Sequence, residues 1–350
     1  MCIRGLALLY LLWGLPAIAQ QNPPADSHPA VESNSAARTP THPAEASSSP
    51  ADATAKAPDA PKLDLTPDAN GRLTQEQMRE LTRVVAQNYR DNFKRERDYT
   101  FIERDVENNE DGKGQTKSTE VETYEVMAIY GQQVRRLIEK NDKPLDSKEA
   151  AKQEKKIQKI IDERKNESDE DRRKREEKEA KEREDSRKFV SEVADSYEFK
   201  LVGTELVGGR EAWVIDGEPR PELEPHQKDA KFLSKFHGRL WIDKSDMQLA
   251  KMDVEAIDTV SVGWVLARIH KGTRFMFERT RMNDEIWLPK RLTYKFDARV
   301  ALFKGYNIDA EQTYRDYKKF RTSARIVGMG EVQDPKPDRK DLPTQHPAQN

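Results

Sequence analysis

The second half of the chain is a succession of short segments in which polar and apolar side chains alternate, with turn residues between them. The segments YEFKLVGTELV and REAWVID are joined by Gly208 and Gly209, which readily take the positive φ angles of a tight hairpin turn. GRLWID and MQLAKMDVEA meet around residues 244–246, and TRFMFERTR and EIWLPKRLTYKF meet around residues 282–284. Such alternation is typical of antiparallel strands with one buried face, so this part of the chain is restricted to a sheet of consecutive hairpins.

Further strands are predicted on both sides of these hairpins. A strand begins at Tyr99, and VETYEVMAIY alternates before it becomes apolar on both faces. We also expect strands over 134–139 and 308–317, and a single strand over SVGWVLARI. The total is about eight to ten mostly sequential strands. A meander of this length must curl as its twist accumulates, so the expected sheet is an open half-barrel.

One amphipathic helix, residues 74–95, precedes the strands. Thr74 is its predicted N-cap, Gln77 completes a capping box, and Leu73 can pack on Met78 as a hydrophobic staple. Apolar side chains then recur at helical spacing: Met78, Leu81, Val84, Val85, Tyr89 and Phe93. The predicted fold class is α+β, a curled antiparallel meander with this N-terminal helix against its concave side, a charged helical insertion and disordered ends.

The two ends of the chain are predicted to lie outside the folded domain. Hydrophobic residues make up only 35% of the chain, the same share as the charged residues. Globular chains typically have roughly 45–50% apolar residues. Residues 1–19 have the three-part pattern of a secretory signal peptide, with an uncleaved anchor as the alternative. Residues 20–70 and 331–350 are rich in small and polar residues or in proline, and we expect a flexible tether and a disordered tail. A single domain, 71–330, remains.

Residues 146–188 form a charged insertion in that domain. From Asp162 to Lys188 there are 11 Lys/Arg and 12 Asp/Glu residues, with repeated acid-to-base pairs at i,i+4. This pattern predicts one solvated helix stabilised by ion pairs. Nucleic-acid binding is disfavoured because the charges balance and no aromatic residue is interleaved. A coiled coil is disfavoured because no apolar heptad persists.

Motifs for catalysis or for metal and cofactor binding are missing from the sequence. It has six histidines and a single cysteine, Cys2, but no H-E-x-x-H, no zinc-like Cys/His spacing, no G-x-S-x-G and no phosphate-binding loop. The net charge of −2 offers no field for nucleic acid. We therefore predict a protein that is not an enzyme, with no catalytic residues, no metal and no cofactor.

Aromatic and aliphatic side chains concentrate on single faces of several predicted strands. They either fill the space between sheet and helix completely, or an open barrel leaves part of that space for an apolar ligand. The candidate ligand-binding residues are Met78, Leu81, Val85, Tyr197, Phe199, Phe275, Phe277, Leu292, Tyr294 and Phe296.

Basic residues make the C-terminal strands locally positive. They either meet lipid phosphates or carboxylates at the mouth of the barrel, or lie on a solvated outer face. The residues concerned are Arg239, Lys251, Arg268, Lys271, Arg274, Arg279, Lys290, Arg291, Lys295 and Arg299.

The chain resembles the periplasmic lipoprotein-carrier superfamily of LolA and LolB, with the related sensor-binding RseB type. The resemblance rests on the export signal, the N-terminal helix, and the hairpins YEFKLVGTELVGGREAWVID and GRLWIDKSDMQLAKMDVE. It covers about 71–145 and 189–325. It implies a half-closed antiparallel barrel around a hydrophobic cavity, with helices as a lid, whose members hold acyl chains or lipoproteins in transit. The long leader and the charged insertion depart from the family.

This resemblance implies an exported, periplasmic binding protein whose ligand is the acyl chains of a lipid or lipoprotein. The alternative is an envelope sensor or interaction module that uses the same fold to bind a protein partner. Peripheral contact with a membrane is compatible with both. The sequence leaves the ligand, the partner and the oligomeric state open.

Overall fold

The computed structural model describes residues 63–130, 132–221, 228–262, 267–300 and 304–319. Within them, fourteen strands form one sheet, accompanied by three α-helices and one 3-10 helix. The predicted signal peptide and C-terminal tail lie outside the described residues, as does most of the predicted tether.

The first helix, α1, runs from Gln75 to Glu96 and begins as predicted. The Thr74 hydroxyl accepts a hydrogen bond from the backbone N–H of Gln77 at 3.1 Å, and Gln77 Oε1 accepts from the backbone N–H of Thr74 at 2.8 Å. Leu73 and Met78 lie in the same core cluster, in agreement with the predicted staple. The other helices are α2 (Ser147–Lys165), α3 (Asp169–Ser196) and the 3-10 helix Lys228–Lys235.

The strands are β1 (Arg72–Leu73), β2 (Tyr99–Glu110), β3 (Thr116–Ile129), β4 (Gln132–Lys140), β5 (Lys143–Pro144), β6 (Tyr197–Val207), β7 (Arg210–Pro219), β8 (Phe236–Asp243), β9 (Leu249–Ala256), β10 (Val260–Val262), β11 (Ala267–Ile269), β12 (Arg274–Met282), β13 (Ile286–Val300) and β14 (Lys304–Lys319).

The sheet is antiparallel and open. Its order is β1-β6-β7-β8-β9-β12-β13-β14-β2-β3-β4-β5, with β10 and β11 beside this path. In the described residues the path ends at β1 and β5, so the sheet does not close into a barrel. With α1 against its concave side, this confirms the predicted α+β open half-barrel. The sheet consists of two meanders, joined by the pairing of β14 with β2.

All three predicted hairpins form. Val207 pairs with Arg210 across Gly208 and Gly209, whose φ angles are +58° and +80°, as a tight turn of this kind requires. The sheet has fourteen strands rather than the predicted eight to ten, because it includes four very short ones. These have only two or three residues each: β1, β5, β10 and β11. The remaining ten strands agree with the predicted eight to ten.

Two local predictions were wrong. The segment SVGWVLARI is not one strand: β10 and β11 pair with each other as an antiparallel hairpin, because β11 also pairs with the end of β13. The charged insertion is not one helix: α2 ends at Lys165, and Ser168 starts α3 by accepting a hydrogen bond from the backbone N–H of Asp171. The composition of this charged segment alone predicts one continuous helix, but the N-cap at Ser168 starts a second one.

The two helices of the insertion lie on opposite faces of the sheet. Ile157 of α2 packs on Ile129 and Val134, which face the convex side of β3 and β4. Phe189 and Val193 of α3 pack instead against the core on the concave side. The α2–α3 hairpin thus passes around the β4–β5 edge. At 28 residues, α3 is about 42 Å long and leads to β6, near the opposite edge of the sheet.

The start of the folded domain also differs from the prediction, which placed residues up to 70 in the tether. Leu65 is buried in the main core, and Leu63 packs against it. The Gln77 side-chain amide donates to the carbonyls of Asp64 and Thr66 at 3.1 and 2.9 Å. Two leucines and two hydrogen bonds from the Gln77 side chain to backbone carbonyls therefore attach this segment to the N-terminal end of α1.

Candidate functional site

The concave side of the sheet carries one large apolar cluster, and the structure places all ten predicted ligand-binding residues in or against it. Nine are buried, among them Met78 of α1 and Phe275 of β12, each with 1% of its surface exposed. Tyr294 is half-buried and packs against the cluster. Alternation therefore assigned the candidate residues on strands to the face that α1 covers, and helical spacing assigned Met78, Leu81 and Val85 to the side of α1 that faces them.

Aromatic rings form much of the floor of this surface. Phe275 stacks on Tyr294 with 6.2 Å between ring centroids, and Tyr197 stacks on Phe199 at 5.9 Å. Gly217 makes room for the second pair, because a Cβ at that position would lie 3.0 Å from the Phe199 ring. The floor is thus made of flat surfaces on which chain-like apolar groups can pack.

The C-terminal half of α1 is attached to the sheet by two asparagines, which we call the anchor residues, Asn88 and Asn92. The Asn88 amide donates to the carbonyls of Asp246 and Met247 at 3.0 and 3.1 Å. The Asn92 amide donates to the carbonyl of Trp287 at 2.6 Å and accepts from its N–H at 2.7 Å. These contacts tie α1 to the turn after β8 and to the start of β13.

Arg279 extends this polar attachment into the interior. It is 3% exposed and donates to Gln248 Oε1 at 3.1 Å and to the Trp287 carbonyl at 2.8 Å. Its guanidinium also lies over the ring of Tyr89, 4.9 Å from the centroid. Burial lowers the pKa of Arg279 and raises that of nearby Glu96 at the end of α1. Helix and sheet are therefore held together at this end by directional bonds.

Sequence reasoning missed this attachment, although a signal was present. Asn88, Asn92 and Glu96 recur every four residues, so they continue the buried face of α1. Only the helix face could have been predicted, however, because the partners of Asn88 and Asn92 lie more than 150 residues away in the chain.

The N-terminal half of α1 makes a different set of contacts. Met78, Leu81 and Val85 rest on the cluster through apolar contact. On the outer side, Arg79 donates to Asp195 of α3 at 2.7 Å, and this pair is partly exposed to solvent. This half of the helix is therefore held by burial, by α3 and by the chain before it, because β1 directly precedes α1 and pairs with β6. Its own side chains make no hydrogen bonds to the sheet like those of the anchor residues.

The other half of the concave face, on β2, β3 and β4, is polar. Arg135 Nη2 lies 2.5 Å from carboxylate oxygens of both Glu103 and Asp105, and its guanidinium is stacked over the ring of Tyr124. Burial raises the pKa of Glu103, Arg135 lowers it, and the neighbouring Asp105 raises it further. This half of the concavity is suited to charged groups rather than to acyl chains.

The convex face of the C-terminal strands is covered by cross-strand ion pairs. Arg239 pairs with Asp216, Arg274 with Asp253, and Arg291 with Glu311. Lys251 and Lys290 both lie within 4 Å of Glu278. The positive charges of these residues are therefore balanced by neighbouring carboxylates on a solvated outer face. Arg279 differs from them because it is buried on the concave side.

A polar groove of about 520 Å³ separates the start of the described chain from α1. Its lining is mainly charged and polar, so it is unsuited to acyl chains. It is lined by Leu63, Asp64, Thr74, Glu76, Gln77, Arg79, Glu80 and Arg83.

The part of the chain that the structure describes contains no group of three or more His, Cys, Asp or Glu side chains arranged to hold a metal ion. None of its helices combines the length and the apolar character needed to cross a membrane.

No protein family model and no curated protein matched the chain. Solved structures did match. A domain described as an outer membrane lipoprotein-sorting protein, from Vibrio parahaemolyticus, has 10% identity, covering 71% of this chain and 95% of its own, with a TM-score of 0.31. A LolA superfamily protein from Nitrosomonas europaea also has 10% identity. The match covers 70% of this chain and 94% of that protein, with a TM-score of 0.27. The structure of the MucA/MucB complex of Pseudomonas aeruginosa has 10% identity to this chain. The match covers 67% of this chain and 99% of the matched chain, with a TM-score of 0.18. The solved proteins that this chain is similar to thus include a member of the LolA superfamily, as the resemblance in the sequence predicts.

Proposed function

We propose that the protein is an exported, non-enzymatic carrier in the periplasm that holds the acyl chains of a lipid or lipoprotein between α1 and the concave apolar surface. The observation that carries this proposal is a continuous apolar surface on the sheet, covered by α1 and by part of α3, with side-chain hydrogen bonds from α1 to the sheet in its C-terminal half. The ten residues named above would line the binding site.

The two halves of α1 suggest how a ligand enters. Apolar contacts are not directional, so an acyl chain can replace those that Met78, Leu81 and Val85 make with the floor. The hydrogen bonds of Asn88 and Asn92 need their own partners and would be lost if this end moved. The N-terminal half therefore tilts away, which also separates the short pairing of β1 with β6 just before it, while the anchor residues act as a pivot.

The energies involved are of comparable size. Exposing three apolar side chains costs about 1.5–3 kcal/mol each, and burying a methylene gains about 0.8 kcal/mol. A chain of roughly a dozen methylenes thus gains about 10 kcal/mol, enough to offset the exposure of all three. Short acyl chains would not suffice, so we expect affinity to rise steeply with chain length.

The experiment immobilises the N-terminal half of α1. In a Cys2→Ser background, which removes the chain's single cysteine, Arg79→Cys and Asp195→Cys are joined by a short bismaleimide crosslinker. Binding of a fluorescent long-chain fatty acid is then titrated with and without the crosslink. We expect the crosslink to weaken binding at least about tenfold, because opening needs this ion pair to separate.

The matched control crosslinks another Arg–Asp pair, Arg239→Cys with Asp216→Cys, across two strands of the convex face. It should leave fatty-acid binding unchanged. Equal binding by both crosslinked proteins would contradict an entry route under α1. Absence of lipid in an organic extract of protein purified from its own host would contradict the carrier proposal itself.

A second candidate function is an interaction module of the envelope, favoured by the α2–α3 hairpin. The first half of α3 is largely exposed, and its charges pair mostly with each other, as Glu170 does with Lys174 at 2.8 Å. Replacing Arg172, Arg173 and Lys174 by Gln distinguishes the two. A carrier keeps fatty-acid binding with these substitutions, whereas an interaction module loses a protein that the unsubstituted chain retains from envelope extract.

A further inference from the structure

Arg279 places a buried positive charge at the point where the apolar surface of the sheet ends. On β12, Phe275, Phe277 and Arg279 share the concave face by strand alternation, because the bulge at this point adds its extra residue to β13 and leaves β12 regular. On α1, Tyr89 follows Val85 by one turn, and its ring lies 4.9 Å from the Arg279 guanidinium. Helix and strand therefore change from apolar to polar at the same level.

The contacts of Arg279 leave its charge without a counter-ion. It donates to Gln248 Oε1 and to the Trp287 carbonyl, which are neutral acceptors and account for two of the five N–H donors of a guanidinium. Among the residues that the structure describes, no carboxylate oxygen lies within 4.0 Å of it. Arginine is almost never fully buried unless it is paired, yet Arg279 is 3% exposed. The described part of the protein thus supplies no anion in contact with this cation.

Glu96, at the end of α1, is a weak substitute for such an anion. Its charge acts on Arg279 from a distance, but it does not contact the guanidinium. Burial raises the pKa of Glu96, which favours its neutral form, and its side chain accepts a hydrogen bond from Gln133 at 3.5 Å. A carboxylate in direct contact would stabilise Arg279 more, because Coulomb attraction increases as the distance decreases.

We propose that the ligand is a fatty acid and that Arg279 binds its carboxylate. A carboxylate matches the planar guanidinium and forms short, charge-assisted hydrogen bonds with it. The acyl chain would extend from Arg279 over Phe277 and Phe275, beneath the N-terminal half of α1. This inference rests on the carrier function and narrows the ligand to an acyl chain that ends in a free carboxylate.

The opening of α1 proposed above leads to this position. The N-terminal half would tilt away as far as the first anchor residue, Asn88, and Tyr89 follows it directly in the chain. The space opened in this way would end beside Tyr89 and Arg279. The end of the ligand that enters first therefore arrives at the guanidinium, and the methyl end remains near the start of α1.

The test compares dodecanoate with dodecanol, which have the same chain length and differ in the charge of the head group. Isothermal titration calorimetry with the full chain at neutral pH measures both affinities. We expect the wild type to bind dodecanoate at least about tenfold more tightly, as one hydrogen bond between charged groups would give. R279Q should lose this preference, and R279K, which keeps the charge, should retain part of it.

The matched control is R274Q, which removes an exposed arginine from the convex face of the same strand and should keep the preference. Circular dichroism checks that each variant is folded. Equal affinities of the wild type for the two ligands would overturn the proposal without any variant, as would a preference that persists in R279Q. Binding of neither ligand to the wild type would instead contradict the carrier function on which the inference rests.

Discussion

The side chain of Asn92 pairs with the backbone of Trp287 as a neighbouring strand would, donating to its carbonyl and accepting from its N–H at 2.6 and 2.7 Å. The two residues are 195 positions apart in the chain. Asn92 is 4% exposed and Trp287 3% exposed, so water cannot replace either bond. This pair fixes where the C-terminal half of α1 meets the sheet.

The first prediction follows from this pair. Asn92→Ala leaves the buried N–H of Trp287 without this partner, which costs about 1–3 kcal/mol, and removes one of the two donors to the Trp287 carbonyl. Arg279 still donates to the Trp287 carbonyl, so we expect the lower end, a loss of about 2 kcal/mol in the free energy of unfolding. Urea titration followed by circular dichroism measures it.

The control for this prediction lies on the exposed side of the same helix. Gln87 donates to Asp91 at 2.7 Å in solvent, and Gln87→Ala should change stability by less than about 0.5 kcal/mol. Similar losses in both variants would mean that Asn92 contributes only through helix propensity.

The second prediction concerns the two halves of α1. Hydrogen exchange should be faster at the amides of residues 79–86 than at those of residues 88–96, because only the latter part carries the anchor residues. Thr74→Ala removes the N-cap, which costs about 1 kcal/mol, and should accelerate exchange in the N-terminal half alone. Uniform exchange along α1 would contradict a pivot at the anchor residues.

The third prediction concerns pH. Because burial raises the pKa of Glu103 above its ordinary value of 4.5, the folded state holds this proton more tightly than the unfolded state does. The contribution of this proton to the free energy of unfolding is fully present below the ordinary pKa. It is lost as the pH rises towards the raised pKa of the folded state. The contribution of Glu103 should therefore make the folded state less stable as the pH increases through neutrality.

Glu103→Gln resembles the protonated acid and should reduce this decline. The measurement is urea unfolding of wild type and variant at pH 5 to 8, with the difference in slope as the readout. Glu285→Gln is the control, because Lys319 and Tyr99 lower the pKa of that exposed carboxyl. Parallel pH profiles for wild type and Glu103→Gln would contradict the assignment.

The fourth prediction concerns the attachment of α2 to the convex face. Ile157 is 3% exposed and contacts Ile129 and Val134. Ile157→Ala should weaken this contact by about 2–4 kcal/mol and release α2 locally. Limited proteolysis should then cut within residues 147–165 while the sheet remains folded. Lys156→Ala, on the exposed side of α2, is the control, and equal cutting of both variants would contradict the role of Ile157.

The sequence alone determined the local elements. The cap at Thr74, the paired glycines at 208 and 209, and the alternation around Phe275 each depend on residues close together in the chain. Helix and strand preferences act over such short distances, so a pattern within a dozen residues is enough. For the same reason, alternation assigned the candidate residues on strands to one face of the sheet, and helical spacing assigned Met78, Leu81 and Val85 to one side of α1.

Only the tertiary structure decided how these elements are combined. The pairing of β14 with β2 joins two meanders that are separated by the whole insertion, and no local pattern records it. The division of α2 and α3 between the two faces depends on which apolar patch each helix meets. The burial of Asn92, Arg279 and Glu103 depends on partners distant in sequence, because a polar side chain is buried only where the fold provides its hydrogen bonds.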